Sequence, residues 1–179
     1  KNIVDNINRG IPHFYEVGLK KLLNDQLKSK KFFGLTNLNC LDIDIEIIII
    51  AVGTPSEITG DIDLRFIKNV SKEIGIFLKN IKQHISIVVK STVLPGTTDK
   101  LIKTIIEKES SKDLGEFGLG MNPEFLREGN AINDFLNPDR IVIGSEDQKT
   151  TLRLKNLYEK WNCEKLYVNC RTAEFIKYA

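Results

Sequence analysis

Residues 45–52, Ile-Glu-Ile-Ile-Ile-Ile-Ala-Val, form a nearly unbroken β-branched run that stops at Gly53-Thr54-Pro55. Such a run fits a strand buried on both faces, which requires helices packed on either side of a sheet. Another run, Ile85–Lys90, and two shorter ones, Phe117–Met121 and Arg140–Gly144, repeat the signal, with helical spacing between the first two. There Leu64, Ile67, Val70, Ile74, Phe77 and Ile81 lie along one stripe, so a helix is expected over residues 63–80, with Asp61 or Asp63 at its N-terminus. Thr97 or Thr98 is expected to cap a helix running to about Glu109. Residues 147–160 predict another helix and 172–179 the start of a last one. Upstream, residues 1–9 predict a helix closed by Gly10 and Pro12, and Leu19, Leu22, Leu23 and Leu27 mark a second within 16–28. Four strands alternating with four or five helices predict an α/β fold, a Rossmann-like doubly wound parallel sheet. The order starts on a helix where such a domain starts on a strand, so the first strand and its Gly-rich turn are expected to be lacking.

Charge and composition exclude several classes of function. Lys and Arg (26) nearly balance Asp and Glu (24) in the 179 residues, and the net charge of +2 carries no clustered basic face. Nucleic acid is therefore not an expected partner. Lys28, Lys30 and Lys31 read as a solvated helix end. The longest apolar run, Ile47–Val52, is far shorter than a membrane span, so no membrane partner is expected, and no signal peptide is visible. Cys40, Cys163 and Cys170 form no metal-type pair and read as reduced thiols, which favours the cytoplasm. His13 and His84 are scattered and read as structural or solvated; no metal site is expected.

In an open α/β sheet, ligands sit beyond the carboxyl ends of the strands. Three polar loops follow strand candidates: Gly53-Thr54-Pro55-Ser56, Ser91-Thr92 through Thr97, and Asn122-Pro123-Glu124-Phe125-Leu126-Arg127-Glu128-Gly129. Parallel strands would gather all three at one edge. Gly53 lets a ligand approach the backbone, and Thr54 offers a hydroxyl and an N–H. Thr92 places a hydroxyl just past a strand end. Glu124 and Glu128 are four apart, and in a helix both carboxylates would share a face able to orient water or take a proton. Lys177 lies beside Ala173 and Ile176 on the last helical segment, where it is either a cation aimed into a site or a snorkelling side chain. Gly115, Gly118 and Gly120 precede a strand rather than a helix, so they are not the G-x-G-x-x-G of a dinucleotide turn.

The order and spacing of these segments say more than any one of them. Ala51-Val52-Gly53-Thr54-Pro55, Gly60-Asp61-Ile62-Asp63-Leu64, Lys90-Ser91-Thr92-Val93-Leu94-Pro95-Gly96-Thr97, Asn122 to Gly129, Pro138-Asp139-Arg140-Ile141-Val142-Ile143-Gly144 and Ala173-Glu174-Phe175-Ile176-Lys177-Tyr178 together resemble the successive motifs of the UDP-glucose/GDP-mannose dehydrogenase family. The resemblance implies an NAD-dependent, two-step oxidation of a nucleotide sugar C6 alcohol to the uronate, serving polysaccharide biosynthesis. It implies cofactor contacts at Thr54, Thr92 and Glu128, and catalytic roles for Thr92, Glu124 and Lys177. It implies a sugar-nucleotide site formed by Glu124, Phe125, Leu126, Arg127, Glu128 and Lys177. It further implies residues 1–170 as an incomplete NAD-binding domain, 171–179 as the start of a central helix, and a homodimer at full length. The family's phosphate-binding turn and nucleophilic cysteine match nothing in these residues, so the segment alone is expected to be inactive. Asp139–Gly144 leans toward UDP-glucose as substrate and Val93–Thr97 toward GDP-mannose; UDP-glucose is the first expectation. The alternative from another class is a non-catalytic α/β binding or assembly module.

Overall fold

The computed structural model describes residues 2–40, 44–57 and 60–179. Lys1, at the start of the expected first helix, and the thiol of Cys40 lie outside what is described. The chain divides into two compact units, Lys1–Asp42 with Phe125–Pro138, and Ile43–Glu124 with Asp139–Ala179.

The second unit holds the sheet. Its strands are β1 (Ile47–Ile50), β2 (Ser86–Val89), β3 (Gly118–Met121), β4 (Arg140–Ser145) and β5 (Glu164–Val168). They lie side by side in chain order. β1 pairs parallel with β2, in the register Ile47 opposite Ser86, and β2 pairs parallel with β3. β4 turns back and pairs antiparallel with β3, Met121 opposite Gly144, and β5 runs parallel to β4. The Rossmann-like α/β class stands as a mostly parallel sheet. The expectation of an all-parallel one is corrected at the β3–β4 join.

The outer strand also departs from expectation. All four residues of β2 are buried, but in β1 only Ile50 is, and Ile49 is 44% exposed. The physical reason is position: β2 has a strand on each side, whereas β1 ends the described sheet. β5 was not expected as a strand. Its sequence, Glu-Lys-Leu-Tyr-Val, opens on two charges and none of its residues is buried, so no long apolar run announces it.

Helices join the strands. The helix α3 (Arg65–Leu78) buries Ile67, Ser71, Ile74, Gly75 and Leu78; of the expected stripe only Ile67 and Ile74 are fully buried, while Leu64, Val70, Phe77 and Ile81 are half-buried at its margin. Asp63 accepts a hydrogen bond from Arg65 N at 2.9 Å and pairs with the Arg65 guanidinium, which holds its carboxyl below the usual range. The helix α4 (Lys103–Ser110) is led in by a π-wound segment, Thr97–Ile102. Asp147 caps α6 (Gln148–Leu157) by accepting from Thr150 N at 2.8 Å. The glycines of β3 answer to this helix: a Cβ on Gly118 would lie 2.0 Å from Thr150 Oγ1 and one on Gly120 3.0 Å from Thr150 Cγ2. The glycine-rich stretch is thus a packing groove for α6. Val88, Ile141, Ile143, Leu154 and Tyr158 form the core cluster on that side, flanked by Trp161. The last helix, α7 (Cys170–Ile176), lies against β4 so closely that a Cβ on Gly144 would come 2.6 Å from Ala173 Cβ.

The first unit contains α1 (Asn2–Asn8), α2 (Leu19–Lys28) and α5 (Ala131–Leu136). Asn24 Nδ2 donates to Gly10 O at 3.1 Å, and Asn8 exchanges hydrogen bonds with Gly34. Glu16 accepts from Gly129 N and Ala131 N, each at 3.1 Å, and so holds the segment that opens α5.

Candidate active site at the strand ends

Parallel pairing brings the carboxyl ends of β1, β2 and β3 to one edge of the second unit, and short polar contacts stitch them together. Lys90 N donates to Ile50 O at 2.8 Å, and Ser91 Oγ to Val52 O at 2.6 Å. Thr54 Oγ1 donates to Thr92 O at 2.8 Å, so the two expected threonines meet, the hydroxyl of one on the carbonyl of the other. Asn122 N donates to Val89 O at 2.8 Å. A Cβ added to Gly53 would meet nothing within 4 Å, which leaves open space beside Thr54.

Lys177 arrives from the far end of the chain. It closes α7, and its ammonium donates to Glu124 Oε1 at 2.9 Å and to the Glu124 carbonyl oxygen. These residues stand 53 positions apart in sequence, yet both are half-buried at the end of β3. Such a pair can offer a carboxylate to a proton and an ammonium to a developing oxyanion.

A buried glutamate positions that helix. Glu174 is 0% exposed, and its carboxylate accepts from Gly96 N at 2.6 Å and Thr98 N at 2.7 Å. It therefore supplies the cap expected of Thr97 or Thr98, whose own side chains do not serve as one; Thr97 Oγ1 donates instead to Leu94 O. Burial pushes the Glu174 carboxyl up, against the pull of the N–H donors. Glu174 was quoted in the motif but given no role, because nothing in the sequence tells a buried cap from a solvated acid.

Beneath Glu124 lies a polar hub also missed from sequence. Asn122 Oδ1 accepts from Lys90 Nζ at 3.0 Å and from Tyr158 Oη at 2.6 Å, while Asn122 Nδ2 donates to Val142 O at 2.8 Å. Burial lowers the Lys90 pKa to about 8; the carboxylate of Glu124 opposes that shift and the Lys177 ammonium adds to it. Burial also raises the Tyr158 phenol.

The stretch 124–128 is not helical, so Glu124 and Glu128 do not share a helical face as expected. Phe125, Leu126, Arg127 and Glu128 fall in the first unit. There Arg127 Nη2 pairs with Asp134 Oδ1 at 2.6 Å, and that guanidinium holds the Asp134 carboxyl well below the usual range. Cys170 is buried, and burial first, with Glu146 beside it, pushes its thiol far up. A thiol so held is a poor nucleophile.

Comparison with known proteins places this geometry. Residues 1–162 match the NAD binding domain of the UDP-glucose/GDP-mannose dehydrogenase family. A GDP-mannose 6-dehydrogenase of Pseudomonas aeruginosa is 38% identical over 98% of the chain, which spans 40% of that relative. A UDP-glucose 6-dehydrogenase of Bacillus subtilis is 34% identical over 98% of the chain and is covered over 37% of its own length. A crystal structure of a ternary complex of the Pseudomonas aeruginosa GDP-mannose dehydrogenase superposes with a TM-score of 0.96 at 37% identity, covering 99% of this chain and 41% of that one. The chain thus spans about two fifths of the length of the relatives it matches.

Proposed function

The chain belongs to the UDP-glucose/GDP-mannose dehydrogenase family, as part of its NAD-binding domain, and from that premise we propose that the full-length protein oxidises the C6 alcohol of a nucleotide hexose to the carboxylate. Bound NAD would supply the hydride acceptor for each of the two oxidations. The observation that carries the reading is the Lys177–Glu124 pair, set at 2.9 Å at the end of β3 by a helix from the far end of the chain.

In this reading Glu124 takes the proton released as the alcohol becomes a carbonyl, directly or through one water, and Lys177 stabilises negative charge on the C6 oxygen. Thr92 and Thr54, joined by their own hydrogen bond, face the cofactor beside the open space at Gly53. Those groups suit the ribose and carboxamide of NAD, which ask for neutral donors and acceptors. These 179 residues contain no G-x-G-x-x-G turn for its pyrophosphate. Phe125, Leu126, Arg127 and Glu128 contact the sugar nucleotide, with Glu128 also near the nicotinamide. Residues 1–170 are assigned to the NAD-binding domain and 171–179 to the start of the next helix, in a cytoplasmic homodimer. Among the described residues no helix is long and apolar enough to cross a membrane.

Relatives acting on GDP-mannose are 37–39% identical, whereas two that act on UDP-glucose are 34% and 35% identical. That margin, with Val93–Thr97, supports GDP-mannose as the sugar nucleotide to test first, while Asp139–Gly144 supports UDP-glucose. NADH formation by the full-length protein with each sugar nucleotide tests both levels. Two NADH per GDP-mannose, at a kcat/KM above that for UDP-glucose, is expected. The opposite order overturns the sugar, and no NADH with either overturns the reaction.

A further inference from the structure

Among the described residues, Lys90 is a cation of the strand edge to which the proposed reaction gives no task. It is the residue that follows β2, two positions before Thr92, and its ammonium reaches across to Asn122 Oδ1 at 3.0 Å. Asn122 in turn is two residues before Glu124. Its amide is fixed from three sides: Lys90 from the end of β2, Tyr158 Oη from beyond α6 at 2.6 Å, and the Val142 carbonyl of β4 at 2.8 Å. The Lys90 ammonium also stands 6.0 Å from the Tyr158 ring centroid, within range of a cation–π attraction.

A buried amide oxygen that accepts from two donors has no spare lone pair, and one N–H of the same amide is given to a backbone carbonyl. Such a side chain has one orientation, and the backbone that carries it is held with it. We infer that Lys90, acting through Asn122 and Tyr158, is the positioning residue for the Glu124–Lys177 pair: it fixes the end of β3 and sets a second positive charge against Glu124. This rests on the reading of that pair as the reacting centre.

The charged groups that face Lys90 are Glu124, beyond β3, and Lys177, at the end of α7; the Tyr158 phenol faces it from the α6 side. Burial brings the Lys90 pKa to about 8, with Glu124 resisting and Lys177 assisting the fall. The Lys90 charge attracts the Glu124 carboxylate, to which Lys177 also donates.

Two measurements on the full-length protein test the inference. In the first, side-chain NMR of 13C-labelled lysines is followed against pH with no substrate present. One lysine should titrate near pH 8. Its signal should vanish in Lys90→Arg, its midpoint should fall in Glu124→Gln, and it should rise in Lys177→Met. A Lys90 midpoint that ignores both charge changes overturns the inference whether or not the protein turns over a sugar. In the second, Lys90→Met should lower kcat about tenfold with little change in the KM for NAD, and Lys90→Arg should recover part of the loss. Added to Glu124→Gln, Lys90→Met should cost little more. Equal losses in both backgrounds mean that Lys90 does not act through Glu124 and overturn the inference. Absence of NADH formation in the unsubstituted protein defeats the proposed reaction instead, and leaves the NMR result to decide the coupling.

Discussion

His84 shows how far a single residue departs from its bland sequence reading. Two scattered histidines gave no reason to look further, and the structural role expected of His84 took a specific form. Arg153 donates from Nη1 toward His84 Nδ1 at 3.0 Å and from Nη2 to the His84 carbonyl at 3.0 Å. A guanidinium has only donors, so the ring nitrogen facing it must be an unprotonated acceptor. Desolvation is the main reason that the His84 pKa falls below its ordinary value, with Lys149 and Arg153 adding to it. The sign follows from linkage. The unfolded chain takes up the proton at a higher pH than the folded one, so the stability His84 contributes is present above its unfolded pKa of about 6.5 and is lost as pH falls through the lower, folded value. Thermal unfolding between pH 7.5 and 5 should show a fall in Tm on acidification that is shallower in His84→Gln. Equal slopes in the two proteins would show that His84 charges as easily in the fold as out of it.

Among the elements, α7 matters most to the site, and its placement rests on four residues. Gly144 and Ala173 allow the helix to close on β4. Asn169 caps it by accepting from Thr172 N at 2.7 Å, and Glu174 binds it to the loop that follows Thr92. Glu174→Gln keeps the size but presents an amide N–H to one of two backbone donors that now share a carboxylate. It should destabilise the fold by about 1–3 kcal/mol, read as a lower urea midpoint at unchanged slope. An unaltered midpoint would show that the carboxylate does not hold the loop.

At this scale the sequence was uneven. α3, β1, β2 and the helices after Thr97 and Asp147 were legible because their apolar period or run is strong. β5 was not, since its apolar residues are only the last three, Leu166, Tyr167 and Val168, after two charged ones, and none of them is buried. α5, a single short turn-and-a-half, was not expected as a helix. The reversal at β4 was also hidden: strand direction depends on how the segment between β3 and β4 travels, and local residue patterns carry no such information.

For the whole molecule, legibility rested on ordered motifs more than on chemistry. Thr54 with Thr92 and Glu124 with Lys177 could be named from sequence, but only the fold shows that each pair meets. Lys90, Asn122, Tyr158 and Glu174 carried no usable signal, because an amide, a phenol, a lysine and an acid acquire these tasks only when buried beside the right partner. The central claim is that the cation at the end of α7 and the carboxylate at the end of β3 form the reacting centre of a nucleotide-sugar oxidation. Steady-state NADH formation by full-length Lys177→Met tests it most directly. Loss of an electrostatic group aimed at developing charge should lower kcat by about 100- to 1,000-fold, with the Kd for NAD nearly unaltered. A Lys177→Met protein that keeps its kcat would contradict the account.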